Sequence, residues 1–118
     1  MARTDRLYTV SFPVLSACKF TTGLADAATV AVTITHDYEI IELDQMAQAV
    51  TLNLTIDPTI KVGAIIKLKT SSDGTGRDIT LGTGTDTTTV SGTANKTKWV
   101  ELVYNGTAYQ NTNVYQNN

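Results

Sequence analysis

Hydrophobic and polar residues alternate with a period of two along several stretches of the chain. Residues Thr29–Thr35 place Val30, Val32 and Ile34 on one side, and the same alternation recurs over Val50–Ile56. A strand whose side chains alternate in this way has one buried face and one face in water. The pattern therefore predicts β-strands whose apolar positions face a common core.

Further stretches have a β-forming composition or a weaker alternation, and turn residues separate them. They are Tyr8–Phe12, Tyr38–Leu43, Val62–Thr70, Arg77–Leu81, Thr87–Val90, Lys98–Tyr104 and Thr107–Gln110. Asp-Gly-Thr-Gly at residues 73–76 predicts a turn, and Asn105-Gly106 predicts a two-residue type I′ hairpin. Short strands at this spacing predict an all-β protein, with a small antiparallel β-sandwich or barrel-like domain and an extended N-terminal arm.

The alternation divides the chain into three parts. Residues 1–28 fit it least well and are predicted to form an N-terminal arm for attachment. Residues 29–110 are predicted to form a β-domain, and residues 111–118 a polar C-terminal tail. Apolar residues that the home core does not need are suited to adding a strand along a neighbour's sheet edge. The predicted attachment residues are Tyr8, Val10, Phe12, Val14 and Leu15.

The composition of the chain excludes some classes of binding partner. The chain has 22 threonines among its 118 residues, a net charge of −2 and only 17% charged residues. Proteins that bind nucleic acid or an anionic membrane surface normally carry a strongly basic patch. We therefore expect no nucleic-acid partner and no membrane partner. Threonine is polar and β-branched, which suits the solvent face of a sheet.

Residue types that carry catalysis or bind metals are scarce. His36 is the only histidine and Cys18 the only cysteine, and neither lies in a nucleophile signature or a zinc-binding pattern. We expect no catalytic residues, no metal site and no cofactor, so the protein is not expected to be an enzyme.

Carboxylates cluster in two regions of the sequence. The first group is expected to form a solvated acidic edge that resists edge-to-edge pairing. The second group could gather around calcium, although turn chemistry explains it well enough. The first group is Asp37, Glu39, Glu42 and Asp44, and the second is Asp73, Asp78 and Asp86.

One segment near the N-terminus allows a different interpretation. Leu15-Ser16-Ala17-Cys18 resembles a bacterial lipoprotein cleavage box, in which Cys18 would be lipidated. Against this interpretation, Asp5 lies in the charged region and Lys19 follows the cysteine directly. We favour an ordinary strand or binding arm with one apolar thiol, and a bacterial surface lipoprotein stays as an alternative.

From Leu52 onward the order of turns and strands is similar to that of a known class of protein. Asp57-Pro58 and Lys61-Val62-Gly63 precede an apolar strand, the Asp-Gly-Thr-Gly turn follows, and Trp99–Tyr104 lead into Asn105-Gly106-Thr107. This order resembles the small β-modules of bacteriophage head fibres, capsid decoration proteins and tail-fibre tips. The resemblance implies a homotrimeric structural virion protein on the capsid surface, whose partners are the major capsid protein or other virion proteins.

A receptor- or glycan-binding module of a tail fibre is a second function compatible with the sequence. Tyrosine rings can serve as stacking platforms when they face a ligand. The candidates for this role are Tyr104, Tyr109 and Tyr115, which lie in or after the closing hairpin.

Overall fold

The computed structural model describes residues 18–117, which form nine β-strands and no α-helix. The strands are β1 (Cys18–Leu24), β2 (Thr29–Ile34), β3 (Tyr38–Leu43), β4 (Val50–Ile56), β5 (Ile65–Ser71), β6 (Ile79–Leu81), β7 (Thr89–Val90), β8 (Thr97–Tyr104) and β9 (Tyr109–Asn117). The all-β class expected from the alternation is therefore confirmed. Within the described range no helix is long and apolar enough to cross a membrane.

The strands form two sheets, and the chain crosses from one to the other after each of the first five strands. One sheet has the order β1-β3-β5-β8-β9 and the other the order β2-β4-β6-β7. The pairs β1–β3, β3–β5, β2–β4 and β4–β6 are parallel. The pairs β5–β8, β8–β9 and β6–β7 are antiparallel. Both sheets are therefore mixed.

The expectation of an antiparallel domain is wrong. Each strand from β1 to β4 pairs with the strand two positions further along the chain, because the intervening strand lies in the other sheet. A chain that returns to the same sheet after such a crossover runs in the same direction as before, so the pairing is parallel. Alternation along one strand reports which side is buried and does not report the direction of its neighbours.

The inward sides of the two sheets bury one hydrophobic core, which gives a sandwich-like arrangement. Val30, Val32 and Ile34 of β2 are buried, as the alternation predicts, and Leu52 of β4 and Ile66 of β5 are completely buried. Each fully buried aliphatic side chain of this size contributes about 1.5–3 kcal/mol relative to an exposed one. The core is mainly aliphatic, and Tyr109 is its only aromatic member among the described residues.

The connection between β8 and β9 differs from the predicted type I′ turn. It spans four residues, 105–108, and of these only Gly106 has a positive φ, of 99°. The Asn105 side-chain oxygen accepts hydrogen bonds from the backbone N–H groups of Thr107 (2.9 Å) and Ala108 (3.0 Å). The asparagine side chain therefore closes the loop, as in an Asx-turn.

The ends of the described range contribute strands to the five-stranded sheet. β1 lies within the segment predicted to be an attachment arm, and it pairs with β3. β9 continues to Asn117 and pairs with β8, so the predicted polar tail is an edge strand over residues 111–117. Polar side chains are tolerated there because residues 112–117 are exposed to solvent. The strand predicted at Tyr8–Phe12 lies outside the described residues.

Candidate binding surface on the five-stranded sheet

The outer side of the five-stranded sheet carries most of the aromatic residues that the structure describes. Phe20 of β1 pairs with Ile40 of β3, and Trp99 of β8 lies directly opposite Tyr115 of β9. Side chains at paired positions point to the same side of a sheet. We call this surface the aromatic face, and it holds four of the six aromatic residues in the described range: Phe20, Tyr38, Trp99 and Tyr115.

These rings lie outside because aliphatic residues occupy the inward positions of the same strands. In β8, Val100 and Leu102 are fully buried. Trp99 directly precedes Val100, so its side chain points to the opposite, outer side of the sheet. Tyr38 and Tyr115 keep 40% and 43% of their surface exposed. Aromatic side chains usually contribute to cores and interfaces. A group of partly exposed rings on one side of a sheet therefore makes this side the candidate binding surface.

The aromatic face contains a concavity of about 350 Å³. This volume lies at the lower end of the range for small-molecule sites, which are typically lined by aromatic and apolar groups with a few polar ones. The lining residues are Tyr38, Ile40, Lys67, Trp99, Tyr115 and Asn117.

An ion pair lies at the centre of this face. The Lys67 ammonium is 2.6 Å from Glu101 Oε2, and the two residues are opposite each other on β5 and β8. The hydrogen bond to Glu101 raises the pKa of Lys67, and the same contact, helped by Thr112, lowers the pKa of Glu101. The phenol of Tyr115 also lies close enough to the ammonium to interact with it. The pair therefore stays fully charged near neutral pH with no net charge.

The structure separates the three tyrosines that the sequence proposes as ligand-facing. Tyr115 lies on the aromatic face and lines the concavity. Tyr104 is half-buried at the β8–β9 loop, where its hydroxyl donates a hydrogen bond to the Gly106 carbonyl at 3.0 Å. Tyr109 is completely buried, so the idea that it faces a ligand is wrong: it points inward on β9 and packs against the Tyr104 ring at 5.1 Å.

Tyr109 lies in the core near a buried carboxylate. Burial raises the pKa of the Tyr109 phenol to about 12, and the negative charges of Glu39 and Asp37 add to this effect. Glu39 is also completely buried, and its Oε2 accepts backbone hydrogen bonds from Thr35 (2.7 Å) and His36 (3.2 Å). The Tyr109 hydroxyl and Glu39 Oε1 have no hydrogen-bond partner among the described residues.

The first carboxylate group does not form the expected solvated edge. β3 lies inside the sheet, between β1 and β5, and Glu39 faces the core beside Ile41 and Leu43. Glu42 is on the opposite, outer side of β3. The strand sequence Tyr-Glu-Ile-Ile-Glu-Leu has apolar residues at both parities, so alternation alone does not identify its inward side.

Each aspartate of the second group accepts hydrogen bonds at a turn. Asp73 caps the Thr75 N–H at 3.0 Å and binds Arg77 through both carboxylate oxygens, at 2.8 and 3.0 Å, and this lowers the pKa of Asp73. Asp86 accepts the N–H groups of Thr88 and Asn111, and Asp78 accepts that of Gly92. Among residues 18–117 no group of three or more metal-ligating side chains comes together.

The remaining candidate residues lie apart from the aromatic face or outside the described range. The Nδ1 atom of His36 is 2.8 Å from the Thr35 hydroxyl, in the connection before β3. Cys18 is a free, exposed thiol at the start of β1. The predicted attachment residues Tyr8, Val10, Phe12, Val14 and Leu15 lie outside the described residues.

Comparison of the sequence with protein-family models and with curated proteins gives no match. The assignment of the aromatic face as a candidate binding surface therefore rests on its geometry alone. Sequence reasoning identified Tyr115 and missed Tyr38, Lys67, Trp99 and Asn117, because it sought rings near the closing hairpin. The signal that could have found Trp99 is its place in the predicted strand Lys98–Tyr104, one position before Val100, on the side opposite the buried residues.

Proposed function

We propose that this chain is a structural virion protein, a capsid decoration or head-fibre subunit that assembles as a homotrimer on the capsid surface. The resemblance of its strand and turn order to such modules motivates the proposal. The observation that carries it is a pair of sheet edges that contain neither charged residues nor proline, two of the features that normally prevent pairing between chains. The proposed role needs no catalytic residue and no cofactor.

The two edges in question are β2 and β9. Proteins that stay monomeric usually protect sheet edges with charged residues, proline, bulges or very short strands. β1 has Lys19 and an irregular register, and β7 has only two residues. β2 and β9 contain no charged residue and no proline. β2 pairs with β4 in unbroken register, and β9 pairs with β8 in regular register on both sides of one irregularity, opposite Glu101 and Leu102.

Two different edges without charge or proline suit a closed ring of three copies. A ring with threefold symmetry joins two different surfaces of each chain, whereas a twofold dimer joins one surface to itself. In the proposed trimer, β9 of one copy pairs with β2 of the next. Such pairing would satisfy the backbone groups along both edges, and a multivalent subunit would turn weak single contacts into useful avidity.

A lysine on the β2 edge is expected to dissociate the trimer. Thr33 is exposed on this edge, and its in-register neighbour Thr55 is exposed on β4, inside the same sheet. The variant Thr33→Lys should therefore be monomeric, because lysine on an edge strand disfavours the addition of a further strand. Thr55→Lys should keep the trimer. Light scattering on the purified full chain measures both, with circular dichroism as a check on folding.

A full chain that is monomeric at every accessible concentration would contradict the proposed assembly. The same holds if Thr33→Lys and Thr55→Lys have equal masses, since the β2 edge would then not be the interface.

The N-terminal segment is proposed to attach the trimer to capsid proteins. Substituting Val10 and Phe12 together by aspartate in the full chain should abolish binding to capsids that lack the native protein, because aspartate opposes burial in a partner's sheet. The control is Val62→Asp, since Val62 is 72% exposed in the connection before β5. Co-sedimentation with capsids gives the readout. Unchanged binding by the double variant would mean that attachment lies in the β-domain.

A receptor- or glycan-binding module is the second candidate function. It is favoured by the concavity on the aromatic face, where Tyr115 and Trp99 lie side by side with Lys67 and Asn117.

A further inference from the structure

We propose that the concavity on the aromatic face binds a neutral pyranose unit of an oligosaccharide. This inference rests on the second candidate function and does not depend on the proposed trimer. It specifies both the place and the chemical class of the ligand.

The aromatic part of the concavity fits the apolar side of a sugar ring. Trp99 and Tyr115 are directly opposite each other on antiparallel strands, so their Cβ atoms lie about 5 Å apart, and both side chains line the concavity. Tyr38 supplies a third ring at the lining. A pyranose has faces made of C–H groups, which pack on aromatic rings, and these residues are held by paired strands rather than by loops.

The polar part of the concavity fits hydroxyl groups. The Lys67 ammonium at the lining can donate hydrogen bonds, and the Glu101 carboxylate, 2.6 Å away and outside the lining, balances its charge. The Asn117 amide at the lining has the capacity to donate and to accept hydrogen bonds. Neighbouring sugar hydroxyls can both donate and accept, so they match such an arrangement. Because the ion pair has no net charge, the site favours a neutral sugar over an acidic one.

The same ion pair argues against a second protein chain as the occupant. The buried centres of protein–protein interfaces are depleted in lysine and glutamate, and burial of an ion pair without further partners is costly. Here Lys67 and Glu101 lie at the middle strands of the face, and both side chains are nearly 30% exposed. A small hydroxylated ligand can accept a hydrogen bond from Lys67 at the lining while leaving the ion pair partly solvated.

Trp99 is the only tryptophan, so its fluorescence reports directly on this site. The full chain is titrated with maltotriose, cellotriose and triacetylchitotriose up to about 10 mM, the range of weak binding. At least one of these neutral sugars should give a saturable change in emission, whereas trigalacturonate, an acidic trisaccharide, should bind at least about tenfold more weakly. Absence of any saturable change with the neutral sugars would overturn the proposal, as would equal or tighter binding of trigalacturonate.

Variants of one ring locate the binding. Tyr115→Ala should lower the affinity for the neutral sugar that binds best by at least about tenfold. Tyr115→Phe, which keeps the ring, should retain most of this affinity. Val62→Ala, an exposed apolar residue outside the concavity, is the control and should not change the affinity. Unchanged affinity in Tyr115→Ala would overturn the assignment.

Light scattering on the same samples separates this inference from the proposed assembly. A trimer that binds none of the sugars contradicts the sugar site alone, and a monomer that binds one contradicts the trimer alone. If Tyr115→Ala dissociates the trimer instead of weakening sugar binding, the aromatic face is an interface between copies and the sugar site is overturned.

Discussion

Gly92→Ala is expected to lower the free energy of unfolding by about 3 kcal/mol, a large effect for a change of one methyl group. A Cβ at this position would overlap the Arg77 carbonyl oxygen and lie 2.5 Å from both the Arg77 backbone nitrogen and Ser72 Oγ. Two of these contacts are with backbone, which cannot rotate away. Ser72 Oγ also accepts the Arg77 N–H at 3.0 Å, so the added methyl would push apart a hydrogen-bonded turn. Urea denaturation of the purified chain measures the loss.

The matched control is Gly74→Ala in the adjacent turn. Nothing lies within 4 Å of a Cβ built on Gly74, and its φ is not positive. Its free energy of unfolding should stay within about 0.5 kcal/mol of the native chain, because the smaller entropy of the unfolded state offsets small losses. Comparable destabilisation by both substitutions would mean that the close approach of Gly92 to Arg77 does not exist in solution.

The sequence predicts the strands well where alternation is strict. Val50–Ile56 forms a strand with the predicted bounds, β2 ends one residue before the predicted Thr35, and its inward residues are the predicted ones. The period of two follows from the geometry of an extended chain, so it survives in any sheet. Pairing depends on contacts distant in sequence, which alternation does not encode.

A repeated pattern in the sequence could have indicated the parallel pairing. β2 reads Thr-Val-Ala-Val-Thr-Ile and residues 51–56 read Thr-Leu-Asn-Leu-Thr-Ile, and the structure pairs these two stretches residue by residue in parallel. Threonine therefore stacks on threonine, and isoleucine on isoleucine. Similar units stacked in register are typical of chains that coil between two sheets.

The aromatic face was harder to predict than the core. Its residues come from β1, β3, β5, β8 and β9, and they meet only because the crossovers place these strands in one sheet. Within a single strand, Tyr38 and Trp99 resemble ordinary core residues. Only the order of the strands in the sheet shows that Tyr38 and Trp99 lie on the same side of it, and that this side is the outer one.

The tyrosines provide the sharpest test of which aromatic residues belong to the core. Tyr109→Ala is expected to lower the free energy of unfolding by about 4 kcal/mol, the usual range for removing a large buried ring. The Tyr109 backbone also joins β9 to the connection between β6 and β7, since its N–H donates to the Gly84 carbonyl and its own carbonyl accepts the N–H of Asp86. The cavity would therefore open beside this junction.

Tyr115→Ala is the matched control for this prediction. Both tyrosines lie on β9, but Tyr115 is 43% exposed on the outer side whereas Tyr109 is fully buried on the inner side. The Tyr115 variant should lose less than about 1 kcal/mol, as is usual for a surface substitution outside a core. Thermal and urea denaturation of both variants give the comparison. Equal losses would mean that Tyr115 is as buried as Tyr109, and the sugar site would then lose part of its exposed aromatic surface.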